Sequence, residues 1–155
     1  LETECPAGLF TLRLTAIGSG PNVDHLRFIE PETVTPSPNL SPTTPGPITS
    51  APVISNPVDT YEAEDGTFSG VAFKTSKPGF TGTGYGDYSS NAGSYIEFDQ
   101  VDGGSGGACS ISFRYANGDS AGNDRPCEVA INGVIVGTIA FTALTDDWDT
   151  WNLSE

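Results

Sequence analysis

A proline-rich stretch divides the chain into two unequal parts. Residues 31–59 contain eight of the twelve prolines, many serines and threonines, and no aromatic residue. A segment of this composition cannot pack a core, and it is typical of semi-rigid linkers in secreted proteins. We therefore divide the chain into residues 1–30, a linker at 31–59 and a main part at 60–155, and we expect a secreted, extracellular protein.

The first part is too short to fold independently. Thirty residues cannot bury a hydrophobic core of their own. Residues 1–30 must therefore pack either against residues 60–155 or against another chain. The linker permits the first arrangement, because 29 residues in an extended polyproline conformation span up to about 90 Å.

The composition excludes several classes of partner. Six Lys and Arg residues stand against 20 Asp and Glu residues, which gives a formal net charge of −14. A nucleic-acid partner requires clustered Lys and Arg, so we expect none. No run approaches the roughly 18 apolar residues of a membrane-spanning helix, so we expect no membrane partner either. The charge leaves a bound cation open.

Alternation of apolar and polar residues predicts short strands. In Cys109–Tyr115 the odd-numbered positions are apolar and the others are Ser, Ser and Arg. Asn132-Gly133 is a strong hairpin turn between two apolar runs. The remaining candidates are Phe10–Leu14, Val23–Phe28, Tyr95–Phe98, Glu128–Ile131, Val134–Val136 and Thr138–Phe141. Period two with turns every 8 to 12 residues predicts an all-β fold, an antiparallel β-sandwich.

Three cysteines, Cys5, Cys109 and Cys127, allow at most one disulfide and leave one thiol. None belongs to a Cys-x-x-Cys pair, and the single histidine gives no zinc-binding set. The sequence leaves the pairing open.

A series of motifs in the main part resembles carbohydrate-binding modules of families 6 and 35. The motifs are Tyr61-Glu62-Ala63-Glu64, Gly82-Thr83-Gly84-Tyr85, Gly93–Phe98, Phe113–Gly118, Arg125-Pro126, Val129–Gly133 and Trp148–Trp151. The closing motifs of these families are missing after Glu155 and stand at the front of the chain instead. They are Pro6-Ala7-Gly8, Leu12-Arg13-Leu14 and Gly20-Pro21-Asn22-Val23-Asp24.

The rotated order has three explanations. The chain is a circular permutant whose linker joins the old termini, a slice of a tandem array whose residues 1–30 complete a neighbouring module by strand exchange, or a severed module that folds poorly. Joining Glu155 to Leu1 leaves nine residues between Trp151 and Pro6, close to the family's spacing. The first two explanations predict the same composite domain.

The resemblance implies a fold and a function. We expect a jelly-roll sandwich closed by strands from residues 1–30. It would bind cell-wall polysaccharide or oligosaccharide without catalysis, by aromatic stacking and hydrogen bonds, and would belong with tandem modules or a glycan-active enzyme. The alternative is a structural or adhesive extracellular repeat that keeps the fold and assembles by strand exchange. We do not expect an enzyme.

Three carboxylates predict a structural calcium site. Glu62 and Glu64 lie two apart on a predicted strand and so share a face. In the fold that the resemblance implies, Asp24 lies on the neighbouring strand. Three carboxylates without nearby Lys or Arg repel one another unless a cation lies between them, and hard oxygen ligands select Ca²⁺. His25 follows Asp24, and we expect it on the opposite face.

The resemblance also implies a sugar site. Tyr85 and Trp148 correspond to the family's stacking residues and Asn22 to its polar residue, with Asn117 as an addition whose Asn-Gly pair could equally form a turn. A pyranose needs a flat apolar platform and directed polar groups. The alternative for Tyr85 and Trp148 is core packing. We expect Trp151 to be a core residue.

Overall fold

A computed structural model describes residues 1–29, 58–88, 91–143 and 147–154. These residues form twelve strands and a single 3-10 turn at Ala63–Asp65. The strands are β1 (Glu2–Cys5), β2 (Leu9–Ala16), β3 (Asn22–Ile29), β4 (Val58–Glu62), β5 (Thr67–Ser69), β6 (Val71–Lys74), β7 (Tyr85–Tyr88), β8 (Tyr95–Asp102), β9 (Gly107–Ala116), β10 (Cys127–Ile131), β11 (Val134–Ile139) and β12 (Asn152–Leu153).

The strands form two antiparallel sheets, which confirms the predicted β-sandwich. One sheet has the order β1-β9-β3-β7-β6, with β12 paired to β9 and β4 paired to β3. The other has the order β11-β10-β2-β8-β5.

Residues 1–29 supply an inner strand to each sheet. Strand β2 lies between β10 and β8, and β3 pairs with β9, β7 and β4. Leu12, Leu14, Val23, Leu26 and Phe28 on these strands are fully buried. Because these side chains lie at the centre of both layers, the sandwich has no complete core without residues 1–29. This confirms that strands from the first segment close the sandwich, as both leading explanations of the segment order predict.

The predicted linker is longer than the stretch between the strands. Strand β3 ends at Ile29, and β4 begins at Val58, which pairs with Ile29. Val58 and Asp59 therefore belong to a strand, because the backbone pairing with β3 overrides their proline-rich surroundings. The rest of the predicted linker lies outside the described residues.

The apolar residues of the alternating pattern predicted for β9 are buried in the core. Cys109, Ile111, Phe113 and Tyr115 are all buried. Phe113 and Tyr115 also pack edge-on against Phe141. At the predicted hairpin, Asn132 and Gly133 have φ angles of 48° and 80° and join β10 to β11. Two adjacent positive φ angles are typical of the Asn-Gly turn that matches strand twist.

A disulfide joins Cys5 on β1 to Cys109 on β9. It links two residues that are 104 positions apart, one from each side of the linker. Cys127 is the buried third cysteine, and burial raises the pKa of its thiol to about 12. The disulfide therefore fastens the first segment covalently to the main part.

No helix among residues 1–29, 58–88, 91–143 and 147–154 is long and apolar enough to cross a membrane.

Candidate functional site

A bulge in β3 shapes an acidic cluster. Val23 pairs with Tyr115 on β9 and His25 pairs with Arg114, so Asp24 is an extra residue in the strand. Bulges break the alternation of side chains between faces. His25 Nδ1 consequently lies 3.1 Å from Asp24 Oδ2. The structure thus corrects the expectation that His25 points to the face opposite Asp24.

Asp24 is fully buried and already has cationic and neutral partners. Its carboxylate forms an ion pair with Arg114 and accepts a hydrogen bond from the Thr81 amide at 2.8 Å, and the Thr81 hydroxyl oxygen lies 3.1 Å from its Oδ2. Burial alone would raise the pKa of Asp24, but the bonds from His25, Arg114 and Thr81 outweigh it and lower the pKa. The structure therefore corrects the expectation of a cluster without Lys or Arg, because the strand pairing of β3 with β9 places Arg114 against Asp24.

Glu62 lies beside Asp24. It ends β4 opposite His25, and its Oε2 accepts a hydrogen bond from the Thr81 hydroxyl at 2.9 Å. Possible ligand atoms of Asp24, His25 and Glu62 lie within 4.8 Å of one another. Burial raises the pKa of Glu62, the hydrogen bond from Thr81 and the interaction with His25 lower it, and the nearby carboxylates of Asp24 and Glu64 raise it by smaller amounts. Burial is therefore the main reason why the ionised form of Glu62 is disfavoured.

Glu64 reaches the same place from the 3-10 turn rather than from a strand. Its Oε1 accepts hydrogen bonds from the amide and the hydroxyl of Thr83. Its Oε2 is buried and has no hydrogen-bond partner among the described residues. An unpaired buried carboxylate oxygen is costly, and a cation would satisfy it.

Gly82 makes room for both glutamates. It has a φ angle of +61°, and a Cβ at this position would lie 2.1 Å from Glu64 Oε1 and 3.2 Å from Glu62 Cδ. The two carboxylates therefore meet over the backbone of a glycine. Of the predicted calcium ligands, Glu62 and Glu64 fit a hard cation, whereas Asp24 is already paired with Arg114.

Trp148 lies in a cluster of loops at one end of the sandwich. The Arg125 guanidinium stands over its ring, 4.8 Å from the ring centroid, and Trp148 is half-buried. Arg125 also donates a hydrogen bond at 3.0 Å to the carbonyl of Gly20, in the loop directly before Asn22. The structure thus places Trp148 beside the loop that leads into Asn22 at the start of β3.

The structure places Tyr85 in the interior. Its side chain is 2% exposed, and its ring packs against Trp151 and Phe80 at centroid distances of 5.3 and 5.9 Å. Its hydroxyl lies 3.2 Å from Ser76 Oγ. Tyr85 therefore presents no face to a ligand in this arrangement. Trp151, expected in the core, is half-buried, and its indole nitrogen donates to the Pro78 carbonyl at 2.8 Å.

The two asparagines are buried at the same loop end as Trp148. Asn22 is 4% exposed and begins β3, where it pairs with Ala116. Asn117 is 1% exposed, and its amide donates to the carbonyls of Asn123 and Phe141 at 3.0 and 2.8 Å. Asn117 therefore organises the loop after β9.

A cavity of about 370 Å³ opens beside this cluster. It is lined by Ile17, Gly18, Ser19, Asp119, Asn123, Asp124, Arg125 and Pro126. It combines an apolar wall at Ile17 with converging polar groups, as small-ligand sites do. The sequence motifs missed the role of Arg125 in this cluster. The available signal was the scarcity of Lys and Arg, which makes each arginine informative in so acidic a chain.

Two antiparallel sheets with polar and aromatic side chains gathered on the loops at one end define a β-sandwich of the ligand-binding type. The family model described as carbohydrate binding module (family 6) matches residues 62–155. The chain therefore belongs to this family of non-catalytic carbohydrate-binding modules. Its membership confirms the predicted resemblance and the prediction that the chain is not an enzyme. The match does not include residues 1–29, and the origin of the segment order stays a prediction.

The curated relatives are enzymes that are much longer than the stretch they share with this chain. The chain is 37% identical over 102 residues to an exo-beta-D-glucosaminidase of Amycolatopsis orientalis, covering 66% of this chain and 10% of that protein. It is 35% identical over 97 residues to a cycloisomaltooligosaccharide glucanotransferase of Niallia circulans, covering 63% and 10%. It is 37% identical over 91 residues to an isomaltosyltransferase of Sporosarcina globispora, covering 59% and 8%. The chain thus spans about a tenth of each relative's length, and no solved structure matches it significantly.

Proposed function

We propose that this carbohydrate-binding module holds its glycan at the loop end, with Trp148 as the stacking platform. The observation that carries the proposal is the half-buried indole of Trp148, joined through Arg125 to a cavity lined by polar side chains. An indole supplies the flat apolar surface that the C–H face of a pyranose packs on. Asp119, Asn123 and Ser19 supply hydrogen-bonding groups for its hydroxyls.

In this proposal Asn22 and Asn117 support the site without forming part of its surface. Asn117 is buried in the loop after β9 and shapes the cavity through its bonds to the Asn123 and Phe141 carbonyls, and Asn22 is buried at the start of β3. Tyr85 is left out of the platform because its ring is covered by Trp151 and Phe80.

The ligand we propose is a neutral or amino sugar polymer. The net charge of −14 disfavours a polyanion in the absence of a bridging cation. The names of the relatives indicate which sugars to test first: glucosamine oligosaccharides from the glucosaminidase, and isomaltooligosaccharides from the glucanotransferase and the isomaltosyltransferase.

We also propose that Ca²⁺ stabilises the module at Glu62 and Glu64. The unpaired Oε2 of Glu64, the raised pKa of Glu62 and the close approach of both to Gly82 support this assignment. The ion would neutralise the negative charges of Glu62 and Glu64 and would bind the unpaired Oε2 of Glu64. Asp24 would attract the ion mainly through long-range electrostatics rather than as a ligand, since Arg114 already neutralises its charge.

The same relatives indicate the kind of protein to which the module is attached. Each relative is an enzyme about ten times longer than the matched stretch, so we propose that this module directs an attached glycan-active enzyme to its substrate. The disulfide between Cys5 and Cys109 supports a secreted location, because such bonds persist in oxidising compartments.

Isothermal titration of the chain with glucosamine and isomaltose oligosaccharides tests the sugar site. We expect binding to one of the two series, weakened about 30-fold in Trp148→Ala, which corresponds to about 2 kcal/mol. Phe73→Ala is the matched control, because Phe73 is an aromatic residue of β6 that is 50% exposed and does not line the cavity. No binding to any oligosaccharide, with the fold intact, would favour the structural or adhesive repeat instead.

A further inference from the structure

Arg125 covers one face of the Trp148 ring. Its guanidinium carbon lies 4.8 Å from the ring centroid, within the range of a cation–π contact. A ring has two faces, so a guanidinium stacked on one leaves only the other for a second flat partner.

The same guanidinium ties neighbouring loops together. One terminal nitrogen donates to the Gly20 carbonyl in loop 17–21 at 3.0 Å, and the other forms an ion pair with Asp119 at 3.4 Å. The backbone amide of Arg125 donates to the Phe141 carbonyl at 3.1 Å. Its Nε is buried with no hydrogen-bond partner among the described residues. The side chain is thus fixed at its tip and by stacking rather than along its whole length.

Asp119 is itself fixed in its loop. Its Oδ1 accepts a hydrogen bond from the Ala121 amide at 2.9 Å, and this bond, with the help of Asn123 and Arg125, lowers the pKa of Asp119. Asp119 therefore stays ionised at neutral pH and offers Arg125 a constant partner.

The backbone of Trp148 is held from the same loop. A Cβ at Gly118 would lie 2.6 Å from the Trp148 nitrogen and 2.3 Å from the Asp147 carbonyl carbon. Because no side chain fits there, the segment that carries Trp148 lies directly on the loop after β9. The backbone of Trp148 is thus held by the loop after β9, and its ring is held by the guanidinium of Arg125.

We infer that Arg125 is a positioning residue for the sugar site, which fixes the orientation of the Trp148 indole at the edge of the cavity. The inference rests on the proposed function of Trp148. Lysine cannot replace Arg125, because an ammonium is not planar and cannot stack while it bonds Gly20 and Asp119 in a fixed fork.

The position of the ring is measured separately from sugar binding by ¹⁹F NMR on the chain labelled with 5-fluorotryptophan. The sequence has two tryptophans and so gives two resonances; Trp148→Phe assigns them. In Arg125→Met we expect the Trp148 resonance to shift and broaden, and the Trp151 resonance to stay. We expect the affinity for the bound oligosaccharide to fall about tenfold in Arg125→Met and by a similar factor in Arg125→Lys.

Arg13→Met is the matched control. Arg13 also stacks on an aromatic ring, 4.3 Å from the centroid of Tyr95, and pairs with a carboxylate, Glu97, but on the five-stranded sheet. We expect this variant to move neither tryptophan resonance and to leave the affinity unchanged.

The outcomes separate the two proposals. An unmoved Trp148 resonance, or a moved one with unchanged affinity, overturns the positioning role of Arg125 while leaving sugar binding intact. A wild-type chain that binds no oligosaccharide overturns the proposed function, and a shifted Trp148 resonance then still supports the orientation of the ring by Arg125. If Arg125→Met is unfolded, Arg125→Lys is judged by the same criteria.

Discussion

Arg114 of β9 forms an ion pair with the buried carboxylate of Asp24 on β3, and so joins the main part of the sandwich to its first segment. The other terminal nitrogen of Arg114 donates to the Gly79 carbonyl at 2.9 Å. The guanidinium also lies over the Trp151 ring, 5.5 Å from its centroid. One side chain thus connects the acidic cluster, the Gly79 loop and the segment before β12.

Arg114→Met should destabilise the fold strongly. Removing the cation leaves the fully buried Asp24 without its charged partner, and breaking a buried pair in this way costs about 3–5 kcal/mol. Urea denaturation measures the loss. Arg13→Met is the control, because the pair of Arg13 with Glu97 is partly exposed and should cost less than about 1 kcal/mol. Equal losses in the two variants would contradict the role given to Arg114.

Glu62→Gln should stabilise the chain at neutral pH when Ca²⁺ is absent. The pKa of Glu62 is raised in the folded state, so its ionised form opposes folding. The folded state binds the extra proton between the unfolded pKa, about 4.3, and the higher folded pKa, so stability falls as pH rises through this window.

Thermal melting in chelator at pH 7 and below pH 4 tests this sign. The advantage of Glu62→Gln should vanish at the lower pH, where the wild-type carboxyl is protonated in both states. Glu4→Gln, an exposed glutamate on β1, is the control and should change neither measurement. A destabilised Glu62→Gln chain at pH 7 in chelator would contradict the raised pKa.

In the presence of Ca²⁺ the wild type should instead be more stable than Glu62→Gln. An ion that binds only the folded state adds about 2.7 kcal/mol at a concentration 100 times its Kd. We expect this increment in the wild type and its loss in Glu62→Gln and in Glu64→Gln, each of which removes one anionic ligand. Melting curves with and without Ca²⁺ measure it. An equal increment in all three chains would place the ion elsewhere.

The sandwich was predictable because its signals are local. The alternation in Cys109–Tyr115 and the Asn132-Gly133 turn each specify structure within a few residues. That residues 1–29 pack against other strands was predictable for a different reason: a segment that cannot bury its own apolar residues must find a partner, although the sequence left open whether this partner is the same chain or another.

The details of the site were not predictable because they depend on distant pairing. The bulge at Asp24 arises from the register of β3 against β9, and it places Arg114, 90 residues away, on Asp24. Tyr85 was expected to face a ligand, but the Trp151 ring from the end of the chain lies against it. In both cases the sequence identifies the residue but does not show which distant side chain contacts it.

The disulfide gives a test of whether one chain completes its own sandwich. A protease site introduced into residues 31–57 separates the first segment from the main part when it is cut. The cut protein should run as one species without reductant and as two fragments with it if Cys5 is joined to Cys109, and the uncut protein then shows whether the two cysteines belong to the same chain. The uncut protein should be monomeric under both conditions.

Cys5→Ser/Cys109→Ser should then lower the free energy of unfolding by about 4 kcal/mol. The bond closes a loop of 104 residues, and the entropy that such a loop removes from the unfolded chain is worth about 4.7 kcal/mol before any strain is counted. Cys127→Ser is the control for loss of a single cysteine, because Cys127 lies outside the bond. A disulfide-linked dimer of the uncut wild type on a non-reducing gel would instead mean that Cys5 of one chain reaches Cys109 of another. Residues 1–29 would then complete a neighbouring sandwich, and the tandem-array explanation of the segment order would replace the permutant.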